Sequence, residues 1–277
     1  MSLLGFARAH LSRLRGEAAK WQLLRGARPE DLEAAITDRS RSLADPTAFY
    51  RDCFRYFYLQ LPSELQAHRR YFRSARRGFG DDAFHVMWFL IFRKYRPRSF
   101  LEIGVYRGQV LSLAALLHRE LGFEGEVVGI SPFEPLGDSV SKYEPEVDYL
   151  TDTRANFAYF RLPEPQLVKA RSTDSAAIQL IASRKWDCVY IDGSHDYAIA
   201  KADWKVCSSN IKAGGLIVLD DAGLGTRFEP PIFSIKGHPG PSRVANEIDR
   251  SRFREVLQVG HNRVFESCQA EQPDRGD

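Results

Sequence analysis

Acidic side chains stand in two places near the middle of the chain, each directly after an apolar run. Asp192 follows the first run, and Asp220 and Asp221 follow the second. Three carboxylates form a hard, oxygen-rich site that suits Mg²⁺ and leaves coordination positions for substrate oxygens. Such an ion acidifies a bound hydroxyl group and fixes its direction. His195 lies three residues after Asp192, where a neutral imidazole can accept the released proton.

The elements around these residues must bring them together. The apolar run 188–191 predicts a strand, a helix with apolar spacing follows to about residue 211, and Gly214 and Gly215 predict a turn before a second strand at 216–219. A strand, a helix and a strand of these lengths form a right-handed βαβ unit with parallel strands. Ligands of open parallel sheets bind beyond the carboxyl ends of the strands. We therefore expect the three carboxylates to converge at that edge.

Each of these residues also has an ordinary structural explanation. Asp192 after a strand is a common helix N-cap. Asp220 and Asp221 can be a solvated strand end, and strict alternation along a strand would point their side chains apart. The two carboxylates face one ion only if the strand has already bent at Asp221. His195 alone, in a loop, is typical of a surface histidine.

The remaining pattern predicts a large α/β domain. Apolar runs predict five more strands, and the last two resemble a hairpin: 99–103, 126–130, 166–170, 254–259 and 262–265. Helices are predicted at 81–95, 109–121, 153–160, 174–183 and 242–252. Two connections, 134–165 and 222–241, are longer than usual, so we expect both at the ligand face, the second as a mobile loop over the substrate.

The turn after the first strand reads Glu102-Ile103-Gly104-Val105-Tyr106-Arg107-Gly108. Its glycines are four positions apart, so the dinucleotide fingerprint is not met. The E-x-G-x-x-x-G pattern resembles the methionine-binding turn of class I S-adenosylmethionine-dependent methyltransferases. That resemblance implies a Rossmann-like α/β fold, a seven-stranded sheet with an antiparallel last strand. It also implies that Glu102, Gly104, Tyr106 and Gly108 bind S-adenosylmethionine.

The central stretch resembles a more specific group. The segment IDGSHDY, a helix, AGG and then VLDDA are similar to the metal-dependent sugar O-methyltransferases of the macrocin and mycinamicin type, whose relatives are often labelled cephalosporin hydroxylase-like. The resemblance covers roughly residues 81–268. It implies Mg²⁺ or another divalent cation on Asp192, Asp220 and Asp221, with Asp192 also near the cofactor. It implies His195 as the general base.

The chain departs from these relatives near the predicted ribose and adenine. Many relatives carry an acid at the end of the second strand, as a dinucleotide fold does, whereas this chain has Ser131. The Ser131 hydroxyl can bond a ribose, or Glu134 can take that place. Ser172 and Asp174 match the region that meets the adenine, and a helix N-cap is their alternative role.

A second departure concerns the base. Many relatives read DGDxxY, where the second Asp can accept the proton, and this chain has Ser194 at that position. The role then passes to His195, with Asp196 as the reserve candidate.

Residues 1–80 differ in composition from the rest of the chain and are predicted to form a helical auxiliary segment. Apolar residues from Leu3 to Leu14 fall at helical spacing among arginines, which fits a helix packed on its own domain or a partner, or a weak contact with an anionic membrane surface. Dense aromatics between Phe49 and Tyr58 are typical of a core or an oligomer seam, so we expect a homo-oligomer. A substrate platform is the alternative.

Composition excludes several classes. The chain has 277 residues, 44% hydrophobic, 27% charged and a net charge of +3, which is too small to indicate a nucleic-acid partner. Four widely spaced cysteines without a CxxC pair indicate neither zinc nor disulfides, and we expect reduced thiols in the cytoplasm. No signal peptide or membrane span is evident.

The predicted organisation is a helical segment at 1–80, a methyltransferase domain at 81–268 and a disordered tail at 269–277. The predicted function is Mg²⁺-assisted O-methylation of a hydroxyl by S-adenosylmethionine, on a sugar of a natural product or a glycan precursor. One alternative is a metal-dependent catechol or phenol O-methyltransferase. The other is a non-catalytic scaffold that keeps the fold.

Overall fold

The computed structural model describes residues 3–135, 137–138, 140–141 and 143–268, with side chains described from residue 14 onward. Eleven α-helices lie in this part of the chain: α1 Leu3–Leu24, α2 Pro29–Thr37, α3 Ser40–Ala44, α4 Pro46–Leu59, α5 Ser63–Arg73, α6 Asp82–Tyr95, α7 Gln109–Glu120, α8 Tyr149–Tyr159, α9 Ser175–Ala182, α10 Tyr197–Ser209 and α11 Pro239–Asn246. Six of these helices precede the first of seven strands, and the other five lie between successive strands up to β6: β1 Ser99–Ile103, β2 Glu126–Ser131, β3 Gln166–Lys169, β4 Trp186–Ile191, β5 Ile211–Leu219, β6 Phe253–Val259 and β7 Asn262–Ser267. Within the described residues, every helix is too short or too polar to cross a membrane.

The seven strands form one sheet in the order β3-β2-β1-β4-β5-β7-β6. Strands β1 to β5 are parallel, and β7 runs antiparallel to both β5 and β6. The predicted βαβ unit around β4 and β5 is confirmed by their parallel pairing, which brings Ile191 opposite Leu219. The fold prediction is confirmed, including the antiparallel final strand.

The two faces of the sheet are covered by separate clusters of buried side chains. One face packs on α9, α10 and α11. The other packs on α6 and α7 and continues without interruption into α2, α4 and α5. The aromatic stretch of α4 lies in this core, with Phe49, Phe54 and Phe57 almost fully buried. The core alternative for these aromatics is therefore confirmed, while the division at residue 80 and the homo-oligomer stay predictions.

Several predicted boundaries were wrong. Strand β5 begins at Ile211 and not after the two glycines, because Ile211 already pairs with Trp186 of β4. An irregularity in the pairing follows before Leu216 pairs with Cys188. Helix α8 begins at Tyr149, since the Asp148 carboxylate caps it by accepting from the Thr151 N–H at 3.0 Å. Helix α11 begins at Pro239 and ends at Asn246, where Glu247 caps it.

Two predictions concern parts of the chain that are not described. The side chains of residues 3–13, which carry most of the amphipathic pattern, lie outside the described residues, although the backbone from Leu3 is helical. The tail 269–277 also lies outside them. The four cysteines carry free thiols, in agreement with the predicted absence of disulfides.

Candidate active site

A cavity of about 510 Å³ lies at the carboxyl ends of β1, β4 and β5. Its wall comes from three parts of the chain. The strand ends supply the polar part, the segment before and within α6 supplies an aromatic part, and the two long connections supply the rest. The ionisable residues at the strand ends and in the loops next to them are Glu102, Asp192, His195, Asp220, Asp221, His238 and His261.

Asp192 and Asp220 are neighbours because the backbone ladder continues past the strand ends. The Asp192 N–H donates to the Ile103 carbonyl at 2.9 Å, and the Asp220 N–H donates to the Ile191 carbonyl at 3.1 Å. The two carboxyl groups share a hydrogen bond. Burial, with the charge of Asp220 adding to it, raises the pKa of Asp192 well above its usual range. Without a cation, Asp192 therefore holds the proton and Asp220 the negative charge.

The chain does bend at Asp221, as a shared ion between Asp220 and Asp221 requires. Strand β5 ends at Leu219, and Asp221 has a left-handed backbone with φ of 51°. This bend turns its carboxylate toward the same side as that of Asp220. His261 marks the meeting point, because its Nε2 lies 3.4 Å from Asp220 Oδ1 and 3.7 Å from Asp221 Oδ1. Burial alone would lower the pKa of His261, but the charge of Asp220 outweighs it and raises the pKa to about 9.

Helix N-capping does not account for Asp192. Helix α10 begins at Tyr197, and the residue at its N-cap is Asp196. Asp192 instead lies at the strand end, where its backbone continues the sheet and its side chain faces the cavity.

His195 lies between two carboxylates. Its Nε2 is 2.8 Å from Asp221 Oδ2 and its Nδ1 is 2.7 Å from Asp138 Oδ2, which also accepts from the His195 N–H. Burial lowers the pKa of this imidazole, but the hydrogen bonds to Asp221 and then Asp138 outweigh it and raise the pKa to about 9. His238 packs edge-on against His195, with ring centroids 4.5 Å apart.

The glycine turn after β1 lies against these carboxylates. Gly104 has φ of 97°, and a Cβ there would stand 1.9 Å from the Asp192 carbonyl oxygen, so only glycine fits. Glu102 is buried at the cavity wall, and its Oε2 has no hydrogen-bond partner among the described residues. Burial raises the pKa of Glu102 to about 8. Tyr106 also lines the cavity, and Gly108 is the N-cap residue of α7.

Three predicted cofactor contacts lie away from this cavity wall. Ser131 ends β2 and is buried, while Ser172 and Asp174 lie beyond β3. Asp174 is the N-cap residue of α9, but its carboxylate accepts from the Arg171 N–H at 2.8 Å. Glu134, the substitute considered for the ribose, forms an ion pair with Lys169 at 3.1 Å. The roles of these residues stay predictions.

Sequence reasoning missed Asp138, His238 and His261. Asp138 lies in the irregular connection 134–165, where no periodic pattern indicates a partner. His238 lies in the loop before α11. His261 did carry a signal, because the strand order puts the β6–β7 turn beside the carboxyl end of β5, and a histidine in that turn must face Asp220.

The long connections do reach the ligand face, as expected. Val140, Ser141 and Tyr143 line the cavity from the first, and Phe233, Ser234, Ile235 and His238 from the second. The second is joined to the site by the His238 N–H, which donates to the Asp221 carbonyl at 2.8 Å. Its mobility stays a prediction.

Part of the chain matches a known protein family. Residues 101–222, from β1 to just beyond β5, match the family described as "Methyltransferase domain". No curated protein matches the chain. The matched region contains Glu102, the glycine turn and all three carboxylates, so the prediction of a methyltransferase enzyme is confirmed.

Solved structures share the fold at low sequence identity. The SAH-bound methyltransferase PaMTH1 from Podospora anserina has a TM-score of 0.53 and 14% identity over 76% of this chain and 89% of its own. An O-methyltransferase from Bacillus cereus in complex with SAH has a TM-score of 0.53 and 16% identity over 80% and 98%. Cofactor-bound Rv0187 from MTB has a TM-score of 0.52 and 15% identity over 89% and 100%. Residues 101–222 therefore match a methyltransferase domain, and the chain has the Rossmann-like α/β fold of these methyltransferases.

Proposed function

We propose that this chain is an S-adenosylmethionine-dependent O-methyltransferase that uses Mg²⁺ or another divalent cation and acts on a sugar hydroxyl. The observation that carries the proposal is the convergence of Asp192, Asp220, Asp221 and His195 on one cavity beside the Gly104 turn. The acceptor is a small molecule or a glycan precursor. The sugar is supported by the resemblance of IDGSHDY and VLDDA to sugar O-methyltransferases.

The residues present fit a divalent cation. The carboxyl groups of Asp192 and Asp220 are joined by a hydrogen bond, and a cation can replace its proton between the same oxygens. Ligand atoms of Asp220, Asp221 and His261 lie within 4.8 Å of one another. Oxygen donors of this kind suit Mg²⁺. The expected ligands are Asp192, Asp220 and Asp221.

The residues at the turn also fit S-adenosylmethionine. Glu102 presents a buried carboxyl oxygen that lacks a partner among the described residues, and a cationic or N–H group of a ligand would satisfy it. The Podospora and Bacillus structures of the same fold hold SAH, the product that remains after methyl transfer. When bound, S-adenosylmethionine supplies an electrophilic methyl group and the cation supplies positive charge beside the acceptor oxygen.

His195 is the group that takes the acceptor proton. Asp138 accepts from Nδ1–H and so fixes the ring orientation and the tautomer, which leaves Nε2 as the basic atom. With a pKa of about 9, His195 is protonated at neutral pH when no cation offsets the charge of the neighbouring carboxylates. Compensation of that charge lowers the pKa of the imidazole toward a value suited to a general base.

A catechol or phenol acceptor is the second candidate. The cavity wall includes the aromatic rings of Phe84, Trp88, Tyr106 and Phe233, which suit a planar aromatic acceptor as well as the apolar face of a sugar. Vicinal hydroxyls of a catechol can chelate the same cation. A panel of glycosides and catechols, tested with the purified enzyme, separates the two.

Calorimetric titration with S-adenosylmethionine, with and without Mg²⁺, tests the proposal. We expect cofactor binding in both conditions, and methyl transfer that falls at least about 10²-fold with a chelator and returns with Mg²⁺. Asp220→Asn should lose the same activity at constant volume, while the exposed Asp196→Asn should not. Absence of cofactor binding in either condition would favour a scaffold, and transfer that ignores the chelator would exclude the metal role.

A further inference from the structure

We propose that the mouth of the cavity binds an apolar part of the acceptor, so that the acceptor is an amphiphile. Its hydroxyl-bearing group meets the acidic cluster, and its alkyl or aromatic portion lies against three apolar side chains at the rim. This inference rests on the proposed function, because it names the substrate class of the same cavity.

Three apolar side chains form the rim: Phe79, Val140 and Ile235. They are 64%, 44% and 49% exposed and all line the one cavity. They come from three segments that are far apart in sequence. Single exposed apolar residues are ordinary on a protein surface, whereas a group gathered at one concave site indicates a ligand.

Phe79 is exposed because the backbone of its loop is held against α7 and Arg69. A Cβ on Gly78 would stand 2.1 Å from Gln109 Oε1, so Gly78 lets the loop pass close to α7. The Phe79 carbonyl then accepts from Gln109 Nε2 at 2.8 Å and from the buried Arg69 at 3.3 Å. Its ring lies beside Tyr106, with centroids 4.9 Å apart. The loop is fixed from below, and its one large side chain faces the cavity.

The other two rim residues are joined to the polar centre. The Val140 N–H donates to Asp138 Oδ1 at 2.8 Å, and the other oxygen of Asp138 contacts His195. The Ile235 carbonyl oxygen lies 3.2 Å from His261 Nδ1. The backbone at both positions is therefore hydrogen-bonded to a residue that contacts the acidic cluster, which places the two apolar side chains next to that cluster.

The arrangement divides the cavity by polarity, with carboxylates and imidazoles at the strand ends and hydrocarbon at the mouth. A purely polar acceptor would leave the rim in water, whereas an amphiphile removes it from water and binds more tightly. The rim surrounds a concave cavity of about 510 Å³, which fits a small molecule better than a flat membrane surface.

Binding of two uncharged probes tests the inference: methyl and octyl β-D-glucopyranoside, the latter below its critical micelle concentration. Both are titrated calorimetrically into the full chain with Mg²⁺ and S-adenosylhomocysteine. We expect the octyl glycoside to bind at least about tenfold more tightly. The double variant Val140→Ser/Ile235→Ser keeps the backbone hydrogen bonds and should reduce this preference to less than about threefold. Ile178→Ser, at a residue 41% exposed on α9, is the matched control and should keep it.

Equal affinity for both glycosides, or a preference that survives in the double variant, would overturn the inference. Cosedimentation with vesicles of phosphatidylcholine and phosphatidylglycerol covers the membrane alternative. Vesicle binding that the double variant loses while it keeps the octyl preference would also overturn it. Affinity for S-adenosylhomocysteine is measured in each variant, so failure of the proposed function, seen as no cofactor binding, is distinguished from failure of the rim.

Discussion

Two pairs of histidines lie in or next to the cavity wall, and their pKa values are shifted in opposite directions. The rear pair, His68 and His85, joins α5 to α6: His68 Nδ1 is 3.1 Å from His85 Nε2, and His68 Nε2 is 2.9 Å from Ser112 Oγ. Burial, with the charge of Arg69 adding to it, lowers the pKa of His68 to about 3. The pKa of His85 is also well below its usual range, for the same first cause.

The front pair, His195 and His261, is less completely buried than the rear pair. Burial still lowers the pKa of each of these imidazoles, yet the pKa of each is raised to about 9. The difference lies in the partners. The rear imidazoles bond to each other and to a hydroxyl, whereas the front imidazoles face Asp138, Asp220 and Asp221. Burial alone therefore does not decide whether one of these histidines is charged. The carboxylates at the strand ends raise the pKa of the front pair, which we expect to take part in the chemistry, whereas the rear pair has a structural role.

The rear pair should make the protein sensitive to acid. The unfolded chain binds a proton on each imidazole near pH 6.5, while folded His68 does so only near pH 3, so stability falls as the pH decreases through this window. Each imidazole contributes up to about 1.4 kcal/mol per pH unit, which amounts to several kcal/mol by about pH 4.5. Urea unfolding between pH 7 and pH 4.5 measures it.

The variant His68→Met supplies the control for that experiment. It keeps every carboxylate, so the difference between its slope against pH and that of the wild type isolates the imidazole. Equal slopes would show that His68 is protonated in the folded protein, and the contrast between the two pairs would fail.

Substitutions at the front pair should change the methyl-transfer activity. His195→Ala removes the proton acceptor and should lower turnover about 10²-fold or more, with affinity for S-adenosylmethionine unchanged. Steady-state kinetics and calorimetry on the same preparation check both parts. Asp196→Ala removes the reserve candidate and should retain turnover. If the two variants exchanged these outcomes, Asp196 would be the base.

Much of this site follows from sequence because strand ends are easy to locate. The apolar runs before Asp192 and Asp220 are short, end abruptly and enclose a helix, and a βαβ unit must bring their ends to one edge. The E-x-G-x-x-x-G turn can be placed in the same way, because it directly follows the apolar run of β1 and so lies at the same edge of the sheet. Topology thus predicts where Glu102, Gly104 and the carboxylates meet, without any knowledge of side-chain packing.

The partners of those residues depend on irregular backbone, which the pattern does not encode. Asp138 reaches His195 from a connection without periodicity. The bend at Asp221 is a single left-handed residue, and an alternating strand would have pointed this carboxylate away. His68 and His85 lie in two different helices, so their mutual contact is decided only by how α5 packs on α6. The sequence therefore predicts which edge of the sheet carries the site, whereas the protonation of its histidines depends on contacts that only the packing determines.

The two histidines of the front pair are expected to act differently. His195 accepts a proton, whereas the role of His261 is electrostatic. Its Nε2 lies close to both Asp220 and Asp221, and with a pKa of about 9 it is protonated at neutral pH. A positive charge there competes with a divalent cation for the same carboxylates. His261→Gln should therefore tighten Mg²⁺ binding about tenfold at pH 7, and the wild type should bind Mg²⁺ more tightly as the pH rises toward 9. Calorimetric titration at pH 7 and pH 8.5 measures both.

His118→Gln is the matched control, since His118 is buried against the Pro97 carbonyl behind the sheet and should not affect the cation. A weaker Mg²⁺ affinity in His261→Gln, with His118→Gln unchanged, would mean that the neutral imidazole is itself a ligand. A nitrogen donor would then favour a softer metal than Mg²⁺, such as Zn²⁺. The direction of this one change thus distinguishes an oxygen-only site from a mixed one.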